Sequence, residues 1–215
     1  MSSYNGRFLR EAELRALGLG QVGDNVAIHD TCVLVGTEQI SLGSNIRIDP
    51  FCVITAAGGW LRVGDFVHVG SHCSIAAASG VELADFAGLS AGVRIFSRSD
   101  DYSGKFLTNP TVPPAFTAPH AKLPVRLGRH VIVGAGAVIL PEAELSEGAV
   151  VGAGALVNRS LAAWGIYAGS PARRIGDRHT DLLADETRLR SAIASNDAIL
   201  PVSGLGEQFS ERIVD

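Results

Sequence analysis

The stretch Leu127 to Val157, LGRHVIVGAGAVILPEAELSEGAVVGAGALV, divides into sixes: LGRHVI, VGAGAV, ILPEAE, LSEGAV and VGAGAL, with Val157 opening the next unit. An aliphatic residue begins every unit: Leu127, Val133, Ile139, Leu145, Val151 and Val157. Four places later comes a small or aliphatic residue: Val131, Ala137, Ala143, Ala149 and Ala155. Neither the alternation of an ordinary strand nor the 3.6-residue period of a helix produces this pattern. A hexapeptide repeat does, and it marks a β-solenoid in which six residues make one side of a coil. Composition agrees: hydrophobic residues are 47% of the chain, yet aromatics are only 6% and glycines number 25. Val, Ile, Leu and Ala fill a narrow prism, and glycine turns its corners.

Most of the chain joins the stack. Val22, Ile28 and Leu34 form a first coil, Leu42, Ile48 and Ile54 a second, Val63, Val69 and Ile75 a third, and Leu83, Leu89 and Ile95 a fourth. Leu127, Val133 and Ile139 form the fifth, and Leu145, Val151 and Val157 the sixth. An extra pair often separates coils (Ile40-Ser41, Leu61-Arg62, Val81-Glu82, Val125-Arg126), and these residues are expected to widen one corner. Six coils at ~4.8 Å spacing make a prism roughly 25–30 Å tall. Before the coils, Leu9 to Leu17 reads as a short amphipathic helix closed by Gly18 and Gly20, placed to cover the open end. After Val157 the repeat fades. Residues 179–195 read as a second helix, with Leu182, Leu183, Leu189 and Ile193 on one face and Asp181 or Thr180 at its start. The division is therefore a cap at 1–21, a solenoid at 22–176, and a helix with a draped tail at 177–215.

One interruption stands out. Residues 97–124, SRSDDYSGKFLTNPTVPPAFTAPHAKLP, exceed what a coil requires and hold five prolines. Insertions of this size in a regular stack carry function or are disordered. Tyr102, Phe106, Leu107 and Phe116 favour an ordered arm. A net charge of -4 opposes nucleic-acid binding, which needs a concentrated basic surface. The N-terminus has no signal-peptide core and no apolar run reaches spanning length, so a cytoplasmic protein is expected. Cys32, Cys52 and Cys73 recur about once per coil in the small-residue slot, where cysteine acts as a compact hydrophobe.

With the hexads, the protruding loop and the terminal YAGSPARRI read together, the chain resembles the left-handed β-helix acyltransferases. The fold class is therefore all-β, a left-handed parallel β-helix of about six triangular coils. The resemblance covers residues 22–176 and implies a homotrimer with acyl-CoA and acceptor bound between subunits. The elements IRIDPFCVI, GDFVHVGSH, DFAGLS, SDDYSGKFLTNPTVP and HVIVGAG are similar to the N-acyltransferases of nucleotide-linked amino sugars, those acting on 4-amino-4,6-dideoxyhexoses above all. That branch implies transfer of an acetyl or short hydroxyacyl group from CoA to the amino group of a dTDP- or UDP-linked sugar, for O-antigen or other surface-glycan synthesis.

Such a transfer needs a held acyl-CoA, an aligned acceptor nitrogen and a proton acceptor. The stacked corners Gly134-Ala135-Gly136 and Gly152-Ala153-Gly154 suit a pantetheine, which needs bare backbone to approach. Ala135, Gly136, Ala153 and Gly154 are thus the candidate wall, while tight turning alone also accounts for the glycines. Ser170, Pro171, Arg173 and Arg174 follow the last coil, where the resemblance places the nucleotide end of CoA, and arginine geometry fits its phosphates. An amine with a pKa of ~8 is already partly neutral near pH 7, so a weak base suffices. Asp100 is the candidate for orienting the amine and taking its proton, and Asp101, Tyr102 and Asn109 for contacting the sugar nucleotide. Ser90 matches the branch at the position that contacts acceptor or thioester. His120, at the arm's return, is the rival base. His68 and His72 read as structural or trimer-facing, and His130 as a corner residue. No metal-ligand spacing is present, and the chemistry requires no metal. The alternatives are a sugar O-acetyltransferase of the galactoside or maltose type, whose Asn-His context is missing here, and a non-catalytic scaffold, which has no use for paired carboxylates on an arm.

Overall fold

A computed structural model describes residues 6–119 and 123–195. Helix α1 (Glu11–Ala16) precedes the coils. It is shorter than the stretch Leu9 to Leu17, yet Leu14 is buried in the core, with Leu9 and Leu17 packed against it. The strand before it lies along the first coil: Leu9 N donates to Ile28 O at 2.8 Å, and Asp30 N to Arg7 O at 2.9 Å.

Eighteen short strands then wind six coils. The first has β1 (Gln21–Val22), β2 (Val26–Ile28) and β3 (Val33–Val35); the second β4 (Ile40–Leu42), β5 (Ile46–Ile48) and β6 (Val53–Thr55). The third has β7 (Leu61–Val63), β8 (His68–Val69) and β9 (Ser74–Ala76); the fourth β10 (Val81–Leu83), β11 (Gly88–Leu89) and β12 (Arg94–Phe96). The fifth has β13 (Val125–Leu127), β14 (Ile132–Val133) and β15 (Val138–Ile139); the sixth β16 (Glu144–Leu145), β17 (Val150–Val151) and β18 (Leu156–Val157). All pair in parallel with the strand one coil away, giving three sides of a prism. The register aligns the repeat leaders: Val22, Leu42, Val63, Leu83, Leu127 and Leu145 stand in one column. Inward side chains such as Ile48, Ile75, Leu89 and Ile139 are at most 2% exposed. Each contributes about 1.5–3 kcal/mol of transfer free energy.

The extra pairs widen the corner between the third and first sides: residues 55–60 separate Ile54 from Leu61, whereas only 140–142 separate Ile139 from Ala143, and the second coil's longer corner is a 3-10 turn at Thr37–Gln39. Ile40, Leu61, Val81 and Val125 themselves lie within β4, β7, β10 and β13, in register and at most 2% exposed, facing inward. Past Val157, where the hexads fade, the stack continues. Leu161 bridges Leu145, and β19 (Gly165–Ala168) pairs with β17, placing buried Tyr167 beside Val151 as a partial seventh coil. Strand β20 (Arg173–Asp177) returns antiparallel on β19.

Helix α2 (Leu182–Ala194) begins after Asp181 and docks differently from the apolar face expected of it. Its one buried residue is Glu186; Leu182, Leu183 and Leu189 are half-buried and Ile193 is exposed. It lies on the corner between the first and second sides, where Phe66, Phe86 and His130 stack with centroids 4.8 and 4.9 Å apart. His130 Nε2 meets Glu186 Oε2 at 2.6 Å, and Arg190 bonds both Glu186 and Asp85 at 2.8 Å.

Candidate active site

The wall residues occupy one continuous row on the corner between the second and third sides. Register places Ser90 beside Gly134, and Gly134 beside Gly152. The next residues up this corner are Ala135-Gly136, then Ala153-Gly154, then the turn after β19. Gly92, Gly136 and Gly154 all have φ between 67° and 72°, the left-handed region in which a side chain is strained. A Cβ on Gly136 or Gly154 would meet nothing within 4 Å, so the row is bare toward solvent. A flexible pantetheine chain gains most from such a surface, because backbone groups are reachable without a side chain in the way.

The turn above continues the row. Gly169 O accepts from Leu156 N at 3.0 Å, and Ala172 N donates to Leu156 O at 2.8 Å, fixing Ser170 and the cis-linked Pro171 over Ala153-Gly154. Arg174 is engaged by Asp177, while Arg173 bonds only the carbonyl of Ala172 and stays exposed. Of the two arginines, Arg173 is the one whose charge is uncommitted among the described residues.

Ser90 closes the foot of this row. Its carbonyl accepts the Cys73 thiol at 3.2 Å; Cys52 donates likewise to Gly70 O at 3.1 Å and Cys32 to Asp49 O at 3.2 Å. The three cysteines are free, inward and one per coil, tying each corner to the next. Ser90 lines a recess of about 490 Å³ with Asp49, His68, Phe86, Gly88 and Ile132.

The arm stands at the other end of the third side. Ser97 is 1% exposed; its Oγ accepts from Ser79 N at 2.9 Å and donates to Ala76 O at 3.0 Å, so the chain leaves the prism from a rigid base. Immediately beyond, Asp100 lines a recess of about 1040 Å³ with Phe96, Arg98, Asn109, Val112, Pro114 and Thr117. Asp101 does something else: its carboxylate accepts from Ser103 N and Lys105 N at 3.0 Å and from Phe106 N at 3.2 Å. The Ser103 hydrogen bonds foremost hold its carboxyl below the ordinary value. Asn109, at φ 76°, accepts from Thr111 N and Oγ1 and shapes a turn. Tyr102 is 94% exposed and outside the recess. His120 lies outside the described residues.

Within one chain, then, Ser90 shares a corner with the proposed CoA wall, whereas Asp100 faces a separate recess at the far end of that side. The sequence reading missed the Asp49–His68 pair beside Ser90; its signal was the stacking of Asp49, Gly70 and Ser90 at one corner position of consecutive coils. Among the described residues no group of three His, Cys, Asp or Glu stands ready to hold a metal ion, and no helix is long and apolar enough to cross a membrane.

No family profile matches the chain. A dTDP-4-amino-4,6-dideoxy-D-glucose acyltransferase of Escherichia coli is 38% identical over 190 residues, 88% of this chain and 98% of that protein. Crystal structures of AntD, an N-acyltransferase from Bacillus cereus, superpose with a TM-score of 0.83 at 32% identity, covering 88% of this chain and 100% of AntD. One holds dTDP and 3-hydroxybutyryl-CoA, another dTDP-4-amino-4,6-dideoxyglucose and coenzyme A. Several AntD structures carry a substitution at one aspartate or at one serine ten positions earlier; Ser90 and Asp100 are also ten positions apart. A maltose O-acetyltransferase from Clostridium difficile, at 21% identity and a TM-score of 0.52, shares the fold. With one relative alike over nearly its whole length and the hexapeptide solenoid in place, the chain belongs to the CoA-dependent N-acyltransferases of dTDP-linked 4-amino-4,6-dideoxy sugars.

Proposed function

We propose that this enzyme moves an acetyl or short hydroxyacyl group from CoA to the amino group of a dTDP- or UDP-linked amino-6-deoxyhexose, in the cytoplasm, to supply O-antigen or other surface-glycan synthesis. The observation that carries the reading is the single bare row from Ser90 through Gly136 and Gly154 to the Ser170-Pro171 turn. Pantetheine lies along that row, the turn and Arg173 receive the nucleotide end of CoA, and the thioester reaches Ser90. Ser90 then contacts the thioester or the incoming nitrogen. Asp100 binds the amine and takes its ammonium proton, and the Asn109 side of the arm shelters the sugar nucleotide.

The working form is a homotrimer. Ser90 and Asp100 face different recesses of one chain, so joining them calls for the arm of a neighbouring copy at the Ser90 corner. Val33, Val35 and Val53, exposed by 41–52% on the third side, support association there. The test is CoA thiol release from acetyl-CoA and 3-hydroxybutyryl-CoA against dTDP- and UDP-amino sugars and simple galactosides. Amide formation on an amino-sugar nucleotide is expected; activity confined to galactosides would sink the reading.

A further inference from the structure

The recess beside Ser90 contains a histidine–carboxylate pair that the roles above leave unused. His68 points outward from β8 while its neighbour Val69 fills the core. Its Nε2 lies 2.8 Å from Asp49 Oδ2, and the other carboxylate oxygen receives Arg47 Nε at 2.6 Å. Burial alone would raise the Asp49 pKa, but the hydrogen bonds from Arg47 and His68 outweigh it and hold the carboxyl below its ordinary value. Asp49 is therefore an acceptor with no proton to give, and the hydrogen of the His68–Asp49 bond belongs to the imidazole. In the neutral ring that places N–H at Nε2 and the basic lone pair at Nδ1.

The surroundings leave room in front of that ring. The His68 side chain is 53% exposed. Its register neighbour on the next coil is Gly88, where a Cβ would meet nothing within 4 Å. Gly70 separates Asp49 from Ser90 on the corner and adds no side chain. The charged groups facing His68 are Asp49 and Arg47; β11 and β14 contribute Gly88, Ser90 and Ile132, which are uncharged.

We propose that His68, oriented by Asp49, is the residue that transfers the proton within the acyl-transfer step. As the nitrogen–carbon bond forms and the carbon–sulfur bond of the thioester breaks, Nδ1 takes the proton from nitrogen and delivers it to the departing sulfur. Amine and thioester thus become amide and free thiol, His68 ends in the protonation state it began with, and the proton lost by the ammonium group passes to solvent. The ammonium form of the substrate loses its first proton earlier, to Asp100 or water. This assignment rests on the reading that places the thioester at Ser90.

The experiment uses the full-length enzyme with dTDP-4-amino-4,6-dideoxyglucose and 3-hydroxybutyryl-CoA, comparing wild type with His68→Gln, His68→Ala and Asp49→Asn across pH. A positioned general base contributes about 10²–10⁴-fold, so His68→Gln is expected to lower kcat at least ~100-fold, with the KM for acyl-CoA little changed. The acid limb of the pH–rate curve flattens, and free imidazole partly rescues His68→Ala. Asp49→Asn, which frees the ring to rotate and change tautomer, falls between the two. A His68→Gln enzyme within about threefold of wild-type kcat overturns the assignment, and so does a slower one with an unaltered pH–rate curve, which marks a merely structural role. A wild-type enzyme that acylates no amino-sugar nucleotide would instead overturn the function on which the assignment rests.

Discussion

Two adjacent carboxylates on the arm are chemically unlike. Asp101 spends both oxygens on the arm's own N–H groups, whereas Asp100 faces the larger recess. Asp100→Asn is therefore expected to cost about 10²-fold or more in kcat while leaving the melting temperature unchanged. Asp101→Asn keeps one acceptor oxygen and loses the charge, and it should raise the sugar-nucleotide KM several-fold with a smaller loss of kcat. Equal losses of kcat in the two variants would remove the distinction. The cysteines give a second residue-level expectation. Cys52 and Cys73 are at most 1% exposed; although its bond with Cys32 lowers the Cys52 pKa, Cys73 and burial push that thiol up to about 11. Hydrogen bonding to Cys52 lowers the Cys73 thiol instead, but both sulfurs are sealed inside the prism, so a disulfide reagent should label neither residue in the folded protein and both in denaturant.

Among the elements, α2 is held by charge rather than by an oily face. Glu186 accepts from Arg190 and Arg129 and pairs with His130, which itself stacks on Phe86. Replacing it with Ala leaves buried His130 without its carboxylate, while Arg190 keeps Asp85 and Arg129 keeps Glu147, at a cost of about 1–3 kcal/mol in helix docking. Amide exchange confined to residues 182–194 would report it. Burial opposes ionisation of Glu186, but bonds from Arg190 and His130 prevail and its pKa is lowered. A depressed carboxylate stabilises fully above its ordinary value, and that contribution is lost as pH falls through the folded one. Helix protection should decline in this acid window, and Glu186→Gln should lose that pH dependence.

The elements also divide by what a sequence displays. The repeat leaders from Val22 to Val157 are legible because each inward position tolerates only aliphatics and recurs every six residues. Tyr167 escapes that pattern, since Leu161 and Tyr167 are a true six-residue pair carrying an aromatic at a position the lower coils fill with Ile, Val or Leu. Ile40, Leu61, Val81 and Val125 show as insertions, but only the pairing register reveals that they face inward. The Glu186 contact joins residues 56 positions apart through charge, which no local periodicity records. Ser90 and the glycine row are visible as repeat corners; the separation of Ser90 from Asp100 is not, because it depends on where β12 begins and ends.

At the scale of the whole molecule, that separation makes a direct demand on assembly. Ser90 terminates the glycine row on one corner, while Asp100 opens the arm beyond the next side. If a working site joins the Ser90 corner of one copy to the Asp100 arm of its neighbour, two inactive variants can repair one another. Ser90→Ala chains contribute intact arms, and Asp100→Asn chains contribute intact corners. In closed rings assembled at random from equal amounts of each, about a quarter of the interfaces combine both wild-type residues. Co-refolded or co-expressed mixtures should accordingly regain about a quarter of wild-type activity per site, with a particle mass three times that of the chain. Separately folded variants mixed afterwards should regain none until subunits exchange. Activity that stays at the level of the single variants in verified mixed trimers would mean that each chain builds its site alone, and the arm would then have to fold back along β12 to reach its own Ser90.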